Sequence, residues 1–412
     1  MKLQYTLPLG LLIMATSLHA TPNFAREYGV SCTTCHTMIP TLNETGEGFL
    51  RNGFRFSSED KPTLQKILHP DTNQSRPIPL ALMLNANYNS EQDDINTKVK
   101  LYGGGTLSKN LSFFGVTKDN FNDNNENQEI FTQSSSRLYT QLNFKGNQHL
   151  IRVGLISPLT SFGNIQKASA DAGLKGYNEN DNSDHAQNNT NSLQKYGNTT
   201  THSNQGEAQQ GGNTHYQTPI QNATVGNIKG GEYSYLFQDK LLFLLSYGTP
   251  IDKSNSNSDH GNSENQTTLY SGDDDYQMMG ALRYSTDNGY KIGLIYNQYE
   301  KEGQENFSAL LPIEKRFNKF HIVSTLVYRD ENIQEDEYYG WENSLIYTLT
   351  EHDYLRGVID VAQEGEENDE SYGLSLTYSK SYKSALFHLT GARRDTPEES
   401  ENLFLGSVSL LF

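Results

Sequence analysis

The sequence predicts an all-β protein: a transmembrane antiparallel β-barrel of about 16 strands, plugged or capped by a short N-terminal segment that is mostly helical or irregular. Three observations carry this expectation. The chain is poor in apolar residues, short stretches of strict apolar–polar alternation recur from about residue 79 onward, and tight connections alternate with long ones.

Composition comes first. Apolar residues make up 34% of the 412, against roughly half in a water-soluble globule. Aromatics reach 11%, with 25 Tyr but a single Trp, and there are 34 Gly. A fold in which only every second residue meets an apolar surroundings reconciles these figures, and that is the pattern of a membrane barrel. The formal net charge of −17 excludes nucleic acid as a partner, because phosphates would be repelled.

Residues 1–20 read as a secretory signal peptide. Lys2 supplies the charge, Leu7 to Ala15 form a short apolar run, and small and polar residues lead to a cleavage site at Ala20. That run is too short to cross a bilayer as a helix. Residues 21–78 and 79–412 then divide the mature chain into an N-terminal segment and the barrel.

Strands are predicted at 79–88, 98–107, 111–118, 137–145, 149–156, 229–237, 241–249, 276–286, 289–299, 306–317, 319–329, 339–349, 353–363, 371–379, 383–394 and 402–412. Tyr290, Ile292, Leu294 and Tyr296 alternate with Lys291, Gly293 and Asn297. Tyr372, Leu374, Leu376 and Tyr378 do the same, as do Leu138, Leu142 and Phe144 against Gln141 and Asn143. Period two with polar partners is a strand with one apolar face. Most lengths lie near the roughly 9–11 residues that a tilted spanning strand needs.

Tight connections such as Ser108-Lys109-Asn110, Gly146-Asn147-Gln148 and Asp287-Asn288-Gly289 contrast with long ones at 119–136, 157–228, 250–275, 330–338 and 364–370. Short periplasmic turns and long external loops are the habit of bacterial barrels, and an even strand number leaves both chain ends on the periplasmic side. Loops 157–228 and 250–275 are rich in Asn, Gln, Ser, Gly and Thr, a solvated composition. The carboxylate runs Asp273-Asp274-Asp275 and 364–370 fall in such loops and read as solvated chain. The last strand ends on Phe412, with Phe404, Val408 and Leu410 on its parity, resembling the assembly signal at the end of outer-membrane barrels.

The two cysteines of the chain are Cys32 and Cys35, and His36 follows at once. Cys-x-x-Cys-His is the attachment pattern of a c-type haem. Two thiols on one turn reach the two porphyrin vinyl groups, and the adjacent His supplies an axial nitrogen to the iron. A thioredoxin-like redox pair would need a βαβ pattern, which is not legible here. A zinc site would need more close ligands, and the next His is His69. One covalent haem c is therefore expected, bound by Cys32, Cys35 and His36, with His36 as the metal ligand and no catalytic residue assigned. The sixth iron position stays open between His69, Met83, a loop side chain and no protein ligand; Met38 is too near His36 to reach around the ring. Phe24, Tyr28, Phe49, Phe54 and Phe56 are expected to wrap part of the haem, and the barrel lumen to cover the rest.

Around this motif, Pro22-Asn23-Phe24-Ala25-Arg26, Gly29, Cys32, Cys35-His36, Pro40-Thr41-Leu42 and Gly53-Phe54 resemble the fused monohaem cytochrome–porins of iron-oxidising bacteria. The resemblance is specific over about thirty-five residues and architectural elsewhere. It departs from that family at Thr45, where an aromatic usually precedes the Gly at position 46. It implies a haem segment plugging a roughly sixteen-stranded outer-membrane barrel, with Cys32 and Cys35 anchoring the haem and His36 binding iron. It also implies electron transfer from an extracellular donor, Fe(II) first among candidates, to a periplasmic electron-carrier cytochrome. The alternatives are a porin whose haem-bearing plug acts as a redox-gated channel, and a haem peroxidase or sensor, for which no distal His–Arg pattern is evident.

Overall fold

The computed structural model describes residues 23–38, 41–57, 60–69, 78–90, 94–120, 137–158, 162, 228–250, 276–301, 304–331, 336–364, 369–382, 385–395 and 400–411. The signal segment 1–20, the Asp273-Asp274-Asp275 run, the terminal Phe412 and most of the two outsized loops lie outside the described residues.

Among these residues sixteen strands form one closed antiparallel barrel. They are β1 (Leu80–Asn89), β2 (Asp94–Thr106), β3 (Leu111–Asn120), β4 (Arg137–Phe144), β5 (His149–Ile156), β6 (Ile228–Phe237), β7 (Leu241–Pro250) and β8 (Tyr276–Ser285). They continue as β9 (Tyr290–Lys301), β10 (Gln304–Phe317), β11 (Phe320–Glu331), β12 (Asp336–Thr348), β13 (Asp353–Glu364), β14 (Asp369–Tyr382), β15 (Ala385–Asp395) and β16 (Ser400–Leu411). Each strand pairs with its sequence neighbours, and β1 pairs with β16 from Met83↔Leu411 to Asn89↔Leu405, which closes the ring and leaves no edge.

Every predicted strand is present; the boundaries differ at polar ends. β2 starts at Asp94 rather than 98, β12 at Asp336 rather than 339, and β14 runs over Asp369–Tyr382 rather than 371–379. Backbone pairing continues past the apolar stretch that betrays the strand, because polar residues ladder equally well once outside the apolar zone. The turns after β2, β4, β6, β8, β10, β12 and β14 all lie at one end, as do the start of β1 and the end of β16.

The alternation sorts the side chains. On β4, Tyr139, Gln141 and Asn143 are buried in the lumen while Leu138 and Leu142 face out. Outward aromatic residues form two belts. At the tight-turn end, Phe317, Phe320 and Tyr347 follow one another with ring centroids 5.3 and 4.8 Å apart. At the opposite end, Tyr296, Phe307, Tyr328 and Tyr339 do likewise at 6.0, 5.6 and 5.2 Å. Between the belts lie exposed aliphatics such as Ile292, Leu294, Ile313 and Leu326. An apolar band flanked by aromatic girdles is what a bilayer-spanning barrel presents to lipid. No helix among the described residues is long and apolar enough to cross a membrane.

The segment before β1 contributes α1 (Asn23–Tyr28), a 3-10 turn (Cys32–Thr34), α2 (Glu44–Arg51) and α3 (Thr63–Leu68). It packs inside the tight-turn end of the lumen. Asn23 donates to the carbonyl of Gly104 at 3.0 Å and Thr63 meets Thr106, both on β2. Gln141 of β4 donates to Leu50 O at 2.9 Å, and Asn143 to Arg51 O. Arg51 donates to Ser234 Oγ on β6 at 3.2 Å.

Candidate functional site

The Cys-x-x-Cys-His turn is built by short-range backbone bonds. Cys35 N and His36 N both donate to Cys32 O, at 3.2 and 3.1 Å, so the chain folds back over two residues and carries both thiols on one turn. His36 then forms an isolated antiparallel bridge with Leu42. Both thiols are half-buried and not cross-linked. Burial pushes the thiol pKa of each upward, with Cys32 adding to the shift at Cys35. A redox or nucleophilic Cys-x-x-Cys needs the opposite shift, since the thiolate is the reactive form.

Asn43 holds the turn against the next helix. As N-cap of α2 its Oδ1 accepts from Gly46 N at 2.9 Å, while Nδ2 donates to Thr33 O and Thr34 O at 3.2 and 3.1 Å. Its backbone N donates to Cys35 O at 2.9 Å. Gly46 lets α2 approach this closely, because a Cβ there would collide with the Cys35 carbonyl oxygen. At its other end α2 stops at Gly53, with φ of 67°.

The five aromatics expected to wrap a haem pack chiefly on one another. Phe24 stacks on Phe54 at 5.0 Å and meets Phe49 edge-on at 5.3 Å. Tyr28 and Phe56 approach Phe49 at 5.6 and 4.7 Å, and Phe54 reaches Phe114 of the wall at 5.7 Å. The cluster is the apolar wedge that seats the segment in the lumen, a role its composition does not distinguish from lining a ring.

A charged knot seats the other side. Glu47 of α2 accepts from Lys291 of β9 at 2.8 Å, from Arg316 of β10 at 3.3 Å, and lies 3.4 Å from Arg283 of β8. Glu314 lies 2.7 Å from Arg316 and 3.1 Å from His321. Strand register explains the gathering: Glu314 is paired with Lys291 and Arg316 with His321 across adjacent strands. Arg316 also donates to Leu42 O at 2.9 Å.

Of the sequence-predicted residues, Cys32, Cys35 and His36 come together on one turn. The two residues suggested for the sixth position make other contacts. His69 is exposed at the C-cap of α3, and the Met83 sulfur accepts from Tyr102 at 3.5 Å on the β1–β2 wall. The turn itself leans toward β10–β13 through Leu42 and through Met38, which is fully buried against Ile346 and Tyr354. Sequence reading missed Asn43, Glu47 and Arg316. Asn43 could have been found from its place before Glu44 and Glu47, an N-cap with an acidic first turn. Arg316 could not, since an inward polar residue on a barrel strand is ordinary. Among the described residues no group of three or more His, Cys, Asp or Glu side chains is placed to hold a metal ion.

The donor set suits a c-type haem: two uncross-linked thiols on one turn, with an imidazole next in sequence. Cys32 and Cys35 would hold the group and His36 would offer the axial nitrogen.

The fold is that of porin-like barrels of the outer membrane. The anion-selective porin from Comamonas acidovorans is similar in structure at a TM-score of 0.50 and 11% identity, over 81% of this chain and 98% of that one. The Pseudomonas putida OprB structure aligns at 0.48 with 9% identity, over 81% and 93%. A loop-deletion mutant of the Vibrio cholerae outer membrane protein OmpT aligns at 0.47 with 10% identity, over 81% and 97%. No protein-family model matches the sequence, and no curated protein is detectably similar to it.

Proposed function

We propose that this chain is an outer-membrane electron-transfer protein whose barrel holds a covalent haem c at its tight-turn end. The observation that carries the reading is the Cys32–His36 turn, tied by Asn43 to a helix that is bolted inside a lipid-facing barrel. Tight turns in bacterial barrels face the periplasm, and on this reading the Cys32–His36 turn is on that side, within reach of a soluble carrier cytochrome. The proposed donor is extracellular Fe(II), on the strength of the family resemblance.

A bound haem supplies a one-electron change at its iron. The protein's part is structural and electrostatic. Cys32 and Cys35 would hold the group through thioethers to its two vinyl positions. His36 presents its imidazole from the same turn. Asn43 and Gly46 keep that turn pressed on α2, and the aromatic wedge and Glu47 keep α2 on the wall.

One observation favours a second reading, a porin with a haem-bearing plug that opens with redox state: the segment occupies the lumen of a porin-like fold through polar bonds and ion pairs, which are reversible. Conductance in planar bilayers that changes on reduction supports it.

An anaerobic absorbance spectrum of the oxidised protein, taken before and after adding Fe(II) at neutral pH, tests the first reading. A sharp reduced α-band within seconds supports iron oxidation. A band produced by dithionite but not by Fe(II) keeps the haem and rejects that donor. No band with either reductant rejects the haem.

A further inference from the structure

We propose that Arg316, a residue of the barrel wall, positions the Cys32–His36 turn and sets the electrostatic field in which the haem works. The inference rests on the haem reading above and extends it from the N-terminal segment to the barrel.

Arg316 lies at the tight-turn end of β10 on the inward parity. Its Nη2 donates to Leu42 O at 2.9 Å and to Glu47 at 3.3 Å, and the same nitrogen stands 2.7 Å from Glu314. Leu42 is the bridge partner of His36. Glu47 belongs to α2, whose cap Asn43 holds Thr33, Thr34 and Cys35. One guanidinium therefore grips both arms of the scaffold that carries the turn. A planar fork with several donors suits this task, where an ammonium would act as a point charge.

The surroundings decide the sign of the field. Three fixed cations, Arg283, Lys291 and Arg316, share two carboxylates, Glu47 and Glu314, so the knot is positive by one charge before His321 is counted. The side chains are mostly shielded from water, so screening is weak. A positive charge beside a redox centre disfavours the more positive, oxidised state. The barrel wall thus holds the haem easier to reduce than the segment would alone.

The test is a potentiometric titration of the full-length, haem-loaded protein, with haem content and barrel mobility on unheated gels as controls. Arg316→Gln should keep both controls and lower the reduced-to-oxidised ratio at a fixed potential about tenfold, or about 59 mV for one electron. Arg316→Lys should recover more than half of that shift. Glu47→Gln removes a negative charge and should move the ratio the opposite way, and it carries the test if Arg316→Gln does not assemble. Unmoved ratios in Arg316→Gln and Glu47→Gln overturn the inference, and an Arg316→Lys protein that stays at the Gln value overturns its electrostatic part. A wild-type protein without covalent haem overturns instead the reading on which it rests.

Discussion

Replacing Glu47 by Gln should loosen the N-terminal segment without opening the barrel. The carboxylate is the one group of α2 that pairs with three strands at once, at 2.8 Å to Lys291, 3.3 Å to Arg316 and 3.4 Å to Arg283. Removing it leaves Lys291 and Arg316 to share Glu314 and takes a carboxylate from beside Arg283. Breaking a buried ion pair from one side costs about 3–5 kcal/mol, because the remaining charge stays desolvated. Here the partners keep 10–17% of their side-chain surface, so the lower figure applies, about 3 kcal/mol. At about 1.4 kcal/mol per factor of ten, the undocked population rises roughly 100-fold. Amide hydrogen exchange of the full-length protein in detergent measures this directly. The α2 amides should exchange faster by about that factor, while those of β8 to β10 keep their protection, since the wall ladders do not depend on Glu47. Exchange in α2 within about threefold of the wild type would refute the reasoning, as would equal acceleration of the wall.

Three further outcomes are expected. Gly46→Ala places a methyl against the Cys35 carbonyl, so covalent haem per barrel, read from absorbance, should fall well below wild type while gel mobility of the folded barrel is kept. In haem-free protein, burial raises the pKa of both thiols, so alkylation of Cys32 and Cys35 by iodoacetamide should need a higher pH than a free cysteine peptide does; reaction at lower pH would contradict the burial. Leu294→Arg puts a charge on the outer face between the two aromatic belts and should destabilise the barrel in lipid by about 2–4 kcal/mol, measured by reversible urea unfolding.

The strands were legible because a barrel strand meets lipid on one side, and lipid tolerates only apolar side chains there. Tyr290, Ile292, Leu294 and Tyr296 betray β9 for that reason, and the same rule places Lys291 and Asn297 inward. Strand ends such as Asp94 and Asp336 were not legible, because outside the apolar zone only backbone bonds define the ladder. The Cys-x-x-Cys-His turn is local chemistry and needs no tertiary knowledge. Its support is the reverse case. Arg316 is separated from Leu42 by most of the barrel, and only the closure of the ring brings β10 to the segment. The aromatic cluster around Phe49 was visible as composition, but which surface it covers depends on Phe114 and on the wall behind it.

The seam between β1 and β16 bears on how the molecule is made. The ring shuts only when the last twelve residues of strand are delivered, because β16 supplies the partner of β1. The N-terminal segment leans on both halves of that ring: Asn23 with Gly104, Arg26 with Leu80, and Thr63 with Thr106 tie it to β1 and β2. Its opposite flank, Met38 against Ile346 and Tyr354, rests on β12 and β13. Strands from the two ends of the sequence are therefore both needed to hold the segment on both flanks.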